Sequence, residues 1–187
     1  MRNQQGFTLL ETLIAFIVLV FGLLGAIALQ AKAKQATYDA MQRAAALGVA
    51  NDVIERIKAN TEGALASNYN EMIIASGDTQ DGGYVSCINS GCSAAQVALF
   101  DREHWRKSIR ATDNTGSLSG AMICITTTPA TPAIPTDSLA INVVISWDSR
   151  QELGNTTNAG TVKGSCEPED SNNLRRRALA LNSFLFV

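Results

Sequence analysis

Glu11 is the only charge in the run FTLLETLIAFIVLVFGLLGAIAL from Phe7 to Leu29. A carboxylate in an apolar helix costs about 2.5–3.5 kcal/mol at the centre of a bilayer and less near an end. Such a residue is a functional candidate by default, and it needs a partner. A cut between Gly6 and Phe7 would supply one, because it would leave a positive amine at Phe7. On a neighbouring subunit that amine could neutralise Glu11 in low dielectric, where an unpaired charge is expensive. One cleavage would thus create the group that the carboxylate lacks, which is a mechanism for assembly.

The other reactive side chains are few. The chain has one histidine, His104, and four cysteines, Cys87, Cys92, Cys124 and Cys166. All four cysteines follow the apolar run, so they share one compartment if that run spans a membrane. An even count in an exported domain favours disulfides over reduced, buried thiols. Four cysteines allow three pairings, and the spacing does not choose among them. The expected one joins Cys87 to Cys92 in a tight loop and Cys124 to Cys166 in a long one, the latter worth about 4 kcal/mol in the chain-entropy model. Zinc fits poorly, since Cys-x4-Cys with a distant lone His104 is not a usual ligand spacing. Without a second histidine or a nucleophile constellation, His104 reads as structural, and neither an enzyme nor a cofactor is expected. Trp105 and Trp147 read as core.

The elements that must position these residues begin with a membrane-length helix. Phe7 to Leu29 is long enough to cross a bilayer at about 1.5 Å per residue. Arg2 before it and Lys32 and Lys34 after it give little positive-inside contrast. The run is longer than the apolar part of a secretory signal, and no neat Ala-x-Ala site closes it. Beyond Leu29 the pattern turns amphipathic, with Leu47, Ala50, Val53, Ile54 and Ile57 at helical spacing. Asp39 with Arg43 and Asp52 with Arg56 form i, i+4 pairs. Alanine is frequent and proline absent until Asn60 and Gly63 supply the stop. A helix from Phe7 to Asn60 would measure about 80 Å, so its second half must pack on something outside the bilayer. The apolar spacing does not hold a heptad long enough for a coiled coil.

At 187 residues the chain has room for one globular domain besides that helix. From Gly63 to Tyr84 it is rich in Asn, Gly, Ser and Asp, with Met72-Ile73-Ile74 as a short apolar patch in the passage from helix to sheet. A short helix is expected after Cys92, with Ala98, Asp101, Trp105 and Ile109 on one face. Three β-branched runs follow: Ala121 to Thr128, Leu139 to Trp147, and Ala178 to Val187. The prolines of the Thr127–Pro135 stretch should forbid ladder pairing there. Asp148 to Asn173 is a long polar connection. Strands grouped after helices predict an α+β fold, with an antiparallel sheet against the long helix. A net charge of -2 does not point to nucleic acid. The basic triplet Arg175-Arg176-Arg177 reads as a solvated strand edge rather than a phosphate contact.

Gly6-Phe7-Thr8-Leu9-Leu10-Glu11, followed by an uncharged apolar run, resembles the leader of type IV prepilins and pseudopilins. The resemblance implies cleavage after Gly6 by a prepilin peptidase, N-methylation of Phe7, and docking of Glu11 into a growing filament. Many pilins carry a proline late in the apolar helix; here Gly22 and Gly25 stand in that region instead. The stretches AAALGVANDVIERIKAN, CINSGCSAAQVALFDREHW and VVISW are similar to those of PilV-type minor pilins.

The organisation so implied is a leader over residues 1–6, a transmembrane and assembly half over 7–29, an amphipathic half over 30–60, and a periplasmic head over 61–187. The implied function is that of a minor pilin that helps initiate or cap a type IV pilus, and through it twitching motility or adhesion. Its partners would be the prepilin peptidase, other minor pilins, the major pilin and the inner membrane, with no small-molecule substrate. Single-pass inner-membrane anchorage would give way to the filament after assembly. A pseudopilin of a type II secretion system is the alternative in the same class. A membrane-anchored adhesin or DNA-binding module is the alternative in another, and it would need an exposed aromatic or basic patch.

Overall fold

The computed structural model describes residues 8–79, 83–89, 91–110, 118–129, 138–150, 152, 166 and 175–186. Three helices and four strands follow one another as α1 (Leu9–Ala59), α2 (Thr61–Leu65), β1 (Met72–Ala75), α3 (Ala94–Arg110), β2 (Ser119–Pro129), β3 (Leu139–Asp148) and β4 (Arg176–Leu185). The chain divides into two units between Ala40 and Met41.

In the first unit α1 leaves its apolar side chains uncovered. Leu9, Phe16 and Phe21 are 85%, 67% and 70% exposed. An isolated soluble helix would not keep such a surface; one that meets lipid or other subunits would.

In the second unit one stripe of α1 enters the core, through Gln42, Ala46, Ala50, Val53, Ile54 and Ile57. Leu47 was expected on that face but is 43% exposed. It stands about 100° around the helix from Ala46, beyond the edge of the buried stripe. Asn60 ends α1 and starts α2, its side chain accepting from the Gly63 amide at 3.3 Å. A Cβ at Gly63 would strike that Asn60 side chain, so the corner needs glycine.

The sheet is fully antiparallel in the order β1-β2-β3-β4. Its inner face carries Ile123, Ile125, Ile141, Val143, Ile145 and Trp147, which join the α1 stripe, Ala98, Trp105 and Ile109 in one core. The period-2 alternation on β2 and β3 sends these residues to one side. Each large aliphatic chain so buried contributes about 1.5–3 kcal/mol before entropy is charged against it. On the outer face Cys124, Val144 and Cys166 form a second, smaller cluster.

Two expectations about strands need correcting. Met72-Ile73-Ile74 is not a loop patch but part of the edge strand β1, with Ile73 opposite Cys124 and Ile74 opposite Ile123. A run this short carries too few alternations to be read as a strand from sequence. Thr127 and Thr128, the end of the expected Ala121–Thr128 run, pair with Ile141 and Ala140, and Pro129 joins the ladder as well, opposite Leu139. Pro129 is the last residue of β2, where a missing amide donor is tolerated. Residues 130–137 and most of the 148–173 connection lie outside the described residues.

Candidate functional site

The helix start is built from its own sequence. Thr8 precedes α1, and its Oγ1 accepts from the Glu11 amide at 3.3 Å while its carbonyl accepts from the Glu11 and Thr12 amides. This is an N-cap, and it fixes the first turn in which Glu11 sits. An acid in the first turn also meets the positive end of the helix dipole, a purely structural reason for a carboxylate there. That reason explains the position but not the apolar company: Glu11 lies exposed among exposed Leu9, Leu10, Leu13 and Ile14. Gly6 and Phe7 lie outside the described residues. α1 is the one described helix long and apolar enough to cross a membrane, with none of its most apolar window buried.

In the head, a polar network ties α1 to α3. Arg56 meets Asp52 through Nε at 3.0 Å and Asp101 through Nη1 at 3.1 Å. Tyr69 donates its hydroxyl to the other Asp101 oxygen at 2.7 Å, and Asn60 donates to that hydroxyl at 2.9 Å. Trp105 donates its indole N–H to Asp52 at 2.9 Å. Burial works against the Arg56 charge, but the two carboxylates outweigh it and hold the guanidinium above its ordinary range. Burial, opposed by Asn60 and aided by Asp101, pushes the Tyr69 phenol well above its own. His104 is exposed, with Nε2 3.2 Å from Arg56 Nη2. Arginine has no acceptor, so a hydrogen bond here runs from Arg56 to Nε2. The histidine is a strut of this network.

The cysteines are joined as Cys87–Cys92 and Cys124–Cys166, each with Cα atoms 5.7 Å apart. The second bond lies in the outer-face cluster, where Cys166 is 1% exposed. Among the described residues, no group of three or more His, Cys, Asp or Glu could hold a metal ion.

The model of the prokaryotic N-terminal methylation motif matches residues 1–27, the stretch that holds Gly6, Phe7 and Glu11. The model described as type IV pilin Tt1218 matches residues 28–103, from the amphipathic part of α1 into α3. The chain is a type IV pilin-like protein. Among curated proteins and among solved structures nothing matches. The long N-terminal helix followed by a four-stranded antiparallel sheet is the layout of a pilin. The methylation motif implies processing by a prepilin peptidase and an assembly context, and the apolar helix implies membrane anchorage.

Two features of this pilin-like head escaped the sequence reading. Arg176 is not a solvated edge residue: it is 2% exposed, donates to Asp148 at 3.2 Å and to Ser146 at 2.9 Å. Ser146 in turn donates to the Cys166 carbonyl at 2.6 Å, so the arginine braces the disulfide from beside it. Its partners come from β3, and only the register, Asp148 opposite Arg176, reveals the pair. Arg175 is engaged as well, with Glu152 at 3.1 Å. The second feature is the buried pair Glu103–Arg106, in contact at 2.6 Å on α3. Its i, i+3 spacing was visible, but burial of both charges was not.

Proposed function

We propose that this chain is a minor pilin subunit of a type IV pilus, cut after Gly6 and helping to initiate or cap the filament. In this reading residues 1–6 are the leader, 7–29 the transmembrane and assembly half of the helix, 30–60 its amphipathic half, and 61–187 a periplasmic head. The observation that carries it is a capped, wholly uncovered apolar helix whose first turn holds Glu11, directly after the Gly6–Phe7 junction. Burying that helix in lipid, and later against other subunits, removes the apolar surface from water. The amine released at Phe7 then gives Glu11 an opposite charge in a medium that makes it count. PilV-type sequence similarity and the Cys87–Cys92 loop support the pilus over a secretion apparatus.

Mass spectrometry of sheared surface filaments tests the proposal. The expected result is a peptide that begins at N-methylated Phe7 in the filament fraction. The same processed peptide confined to membranes would move the chain to a secretion pseudopilin. An unprocessed terminus everywhere would leave an ordinary anchored protein and overturn the reading.

A further inference from the structure

The two disulfides occupy different environments. Cys124 and Cys166 are 6% and 1% exposed, inside the outer-face cluster with Val144. Cys87 and Cys92 are each only half-buried, in a loop whose Val85 and Ile88 are 40% and 75% exposed. Thiol–disulfide exchange requires a thiolate to reach a sulfur atom, so access separates the two bonds sharply.

The loop is also held at both ends without its disulfide. Before it, Tyr84 stacks on Phe100 of α3 with centroids 6.2 Å apart, and Lys107 Nζ stands 5.4 Å over the Tyr84 ring. After it, Ser93 and Gln96 cap α3 reciprocally: the Ser93 amide donates to Gln96 Oε1 at 2.9 Å, and Ser93 Oγ accepts from the Gln96 amide at 3.4 Å. Asn60 adds a bond to the Ala94 carbonyl at 2.8 Å. None of these contacts uses either sulfur.

We infer that Cys87–Cys92 is a thiol–disulfide exchange site, opened by an external protein dithiol, while Cys124–Cys166 stays closed and keeps the head folded. The partner's first thiolate attacks one sulfur and forms a mixed disulfide, expelling the other cysteine as a thiolate. The partner's second thiol then displaces the first cysteine, leaving Cys87 and Cys92 as two thiols. Two electrons and two protons pass from the partner, which leaves as a disulfide. Val85 and Ile88 offer an apolar foothold beside the sulfurs, of the kind a protein dithiol can dock against before exchange.

The test uses the full chain in detergent micelles. It is treated with graded dithiothreitol or with reduced thioredoxin, quenched with acid, alkylated, and read by mass spectrometry at each cysteine. The expected result is half-opening of Cys87–Cys92 at a dithiothreitol concentration at least about ten-fold below that for Cys124–Cys166. Thioredoxin is expected to open the first pair alone, with the near-ultraviolet circular dichroism preserved. Both pairs opening together, the buried pair opening first, or no opening by thioredoxin would each overturn the inference. The Cys87→Ser/Cys92→Ser variant is a second check. It is expected to form Cys124–Cys166 and fold, and failure to do so would make the first bond structural and sink the idea.

Discussion

Arg56 of α1 and Asp101 of α3 meet at 3.1 Å across a sequence separation of 45 residues. Asp101 is 3% exposed and spends its second oxygen on the Tyr69 hydroxyl, so one carboxylate holds two elements to the helix. Asp101→Ala would leave a buried phenol without its acceptor and Arg56 with Asp52 as its one remaining carboxylate in this network. Because Arg56 is partly solvated, the expected loss is about 2–3 kcal/mol, below that of a fully buried pair. Denaturant unfolding of the full chain in micelles measures it; a loss below about 0.5 kcal/mol would show the network to be idle.

Much of this head is legible in its sequence. Ala98, Asp101, Trp105 and Ile109 share a face because helical spacing dictates it, and all four are buried. The runs on β2 and β3 are visible because β-branched residues recur along them, the core-facing ones at every second position. What stayed hidden depends on pairing across the chain. β1 is too short to show its period, Arg176 needs Asp148 from another strand, and Glu103 is buried only because α3 packs as it does. Sequence alone also left three disulfide pairings open, since a pairing is a statement about distance.

The two disulfides should differ in their share of stability. Cys124–Cys166 spans 42 residues and Cys87–Cys92 spans 5. In the chain-entropy model the paired serine replacements cost about 4 kcal/mol for the long loop and about 2 kcal/mol for the short one. Thermal unfolding of the two double variants, compared with the parent under non-reducing conditions, checks the order. A larger loss for the short loop would contradict it.

Acid should release the Glu103–Arg106 pair. Hydrogen bonding from Arg106, assisted by Lys107 and opposed by burial, holds the Glu103 carboxyl below its ordinary range. A carboxyl with a depressed folded-state pKa contributes stability that is complete above the unfolded value, about 4.3 for glutamate. That contribution drains as pH falls through the lower folded value. The melting temperature is therefore expected to fall more steeply below about pH 4 in the parent than in Glu103→Gln. Parallel acid profiles for the two proteins would exclude the pair as a contributor.

Gly120 marks a bulge where the β2–β3 register shifts between Ser119 and Met122. Its φ is +57°, and a Cβ there would stand 2.5 Å from Asp148 Oδ2. Gly120→Ala meets a left-handed backbone and a crowded carboxylate, the same one that engages Arg176. The expected cost is about 1–2 kcal/mol, seen as a lower melting temperature. An unchanged melting temperature would mean that the bulge relaxes without effort.

Glu11 separates a structural role from an assembly role. The cap at this helix start runs from the Glu11 main-chain amide to Thr8 Oγ1, so it survives any change of the Glu11 side chain. Loss of the dipole interaction costs only about 0.3–1 kcal/mol, too little to prevent a helix of this length from forming. Glu11→Gln keeps the shape and the polarity but removes the charge that a methylated amine at Phe7 of another subunit would meet. Processing after Gly6 is expected to continue, while the share of the chain in sheared filaments, relative to the membrane, falls roughly ten-fold, the effect of about 1.4 kcal/mol. Quantitative mass spectrometry of the two fractions reads both quantities in one experiment. Unchanged incorporation would leave the carboxylate as a helix-start residue and remove charge neutralisation from the account of assembly. A block at processing instead would place Glu11 in recognition by the peptidase.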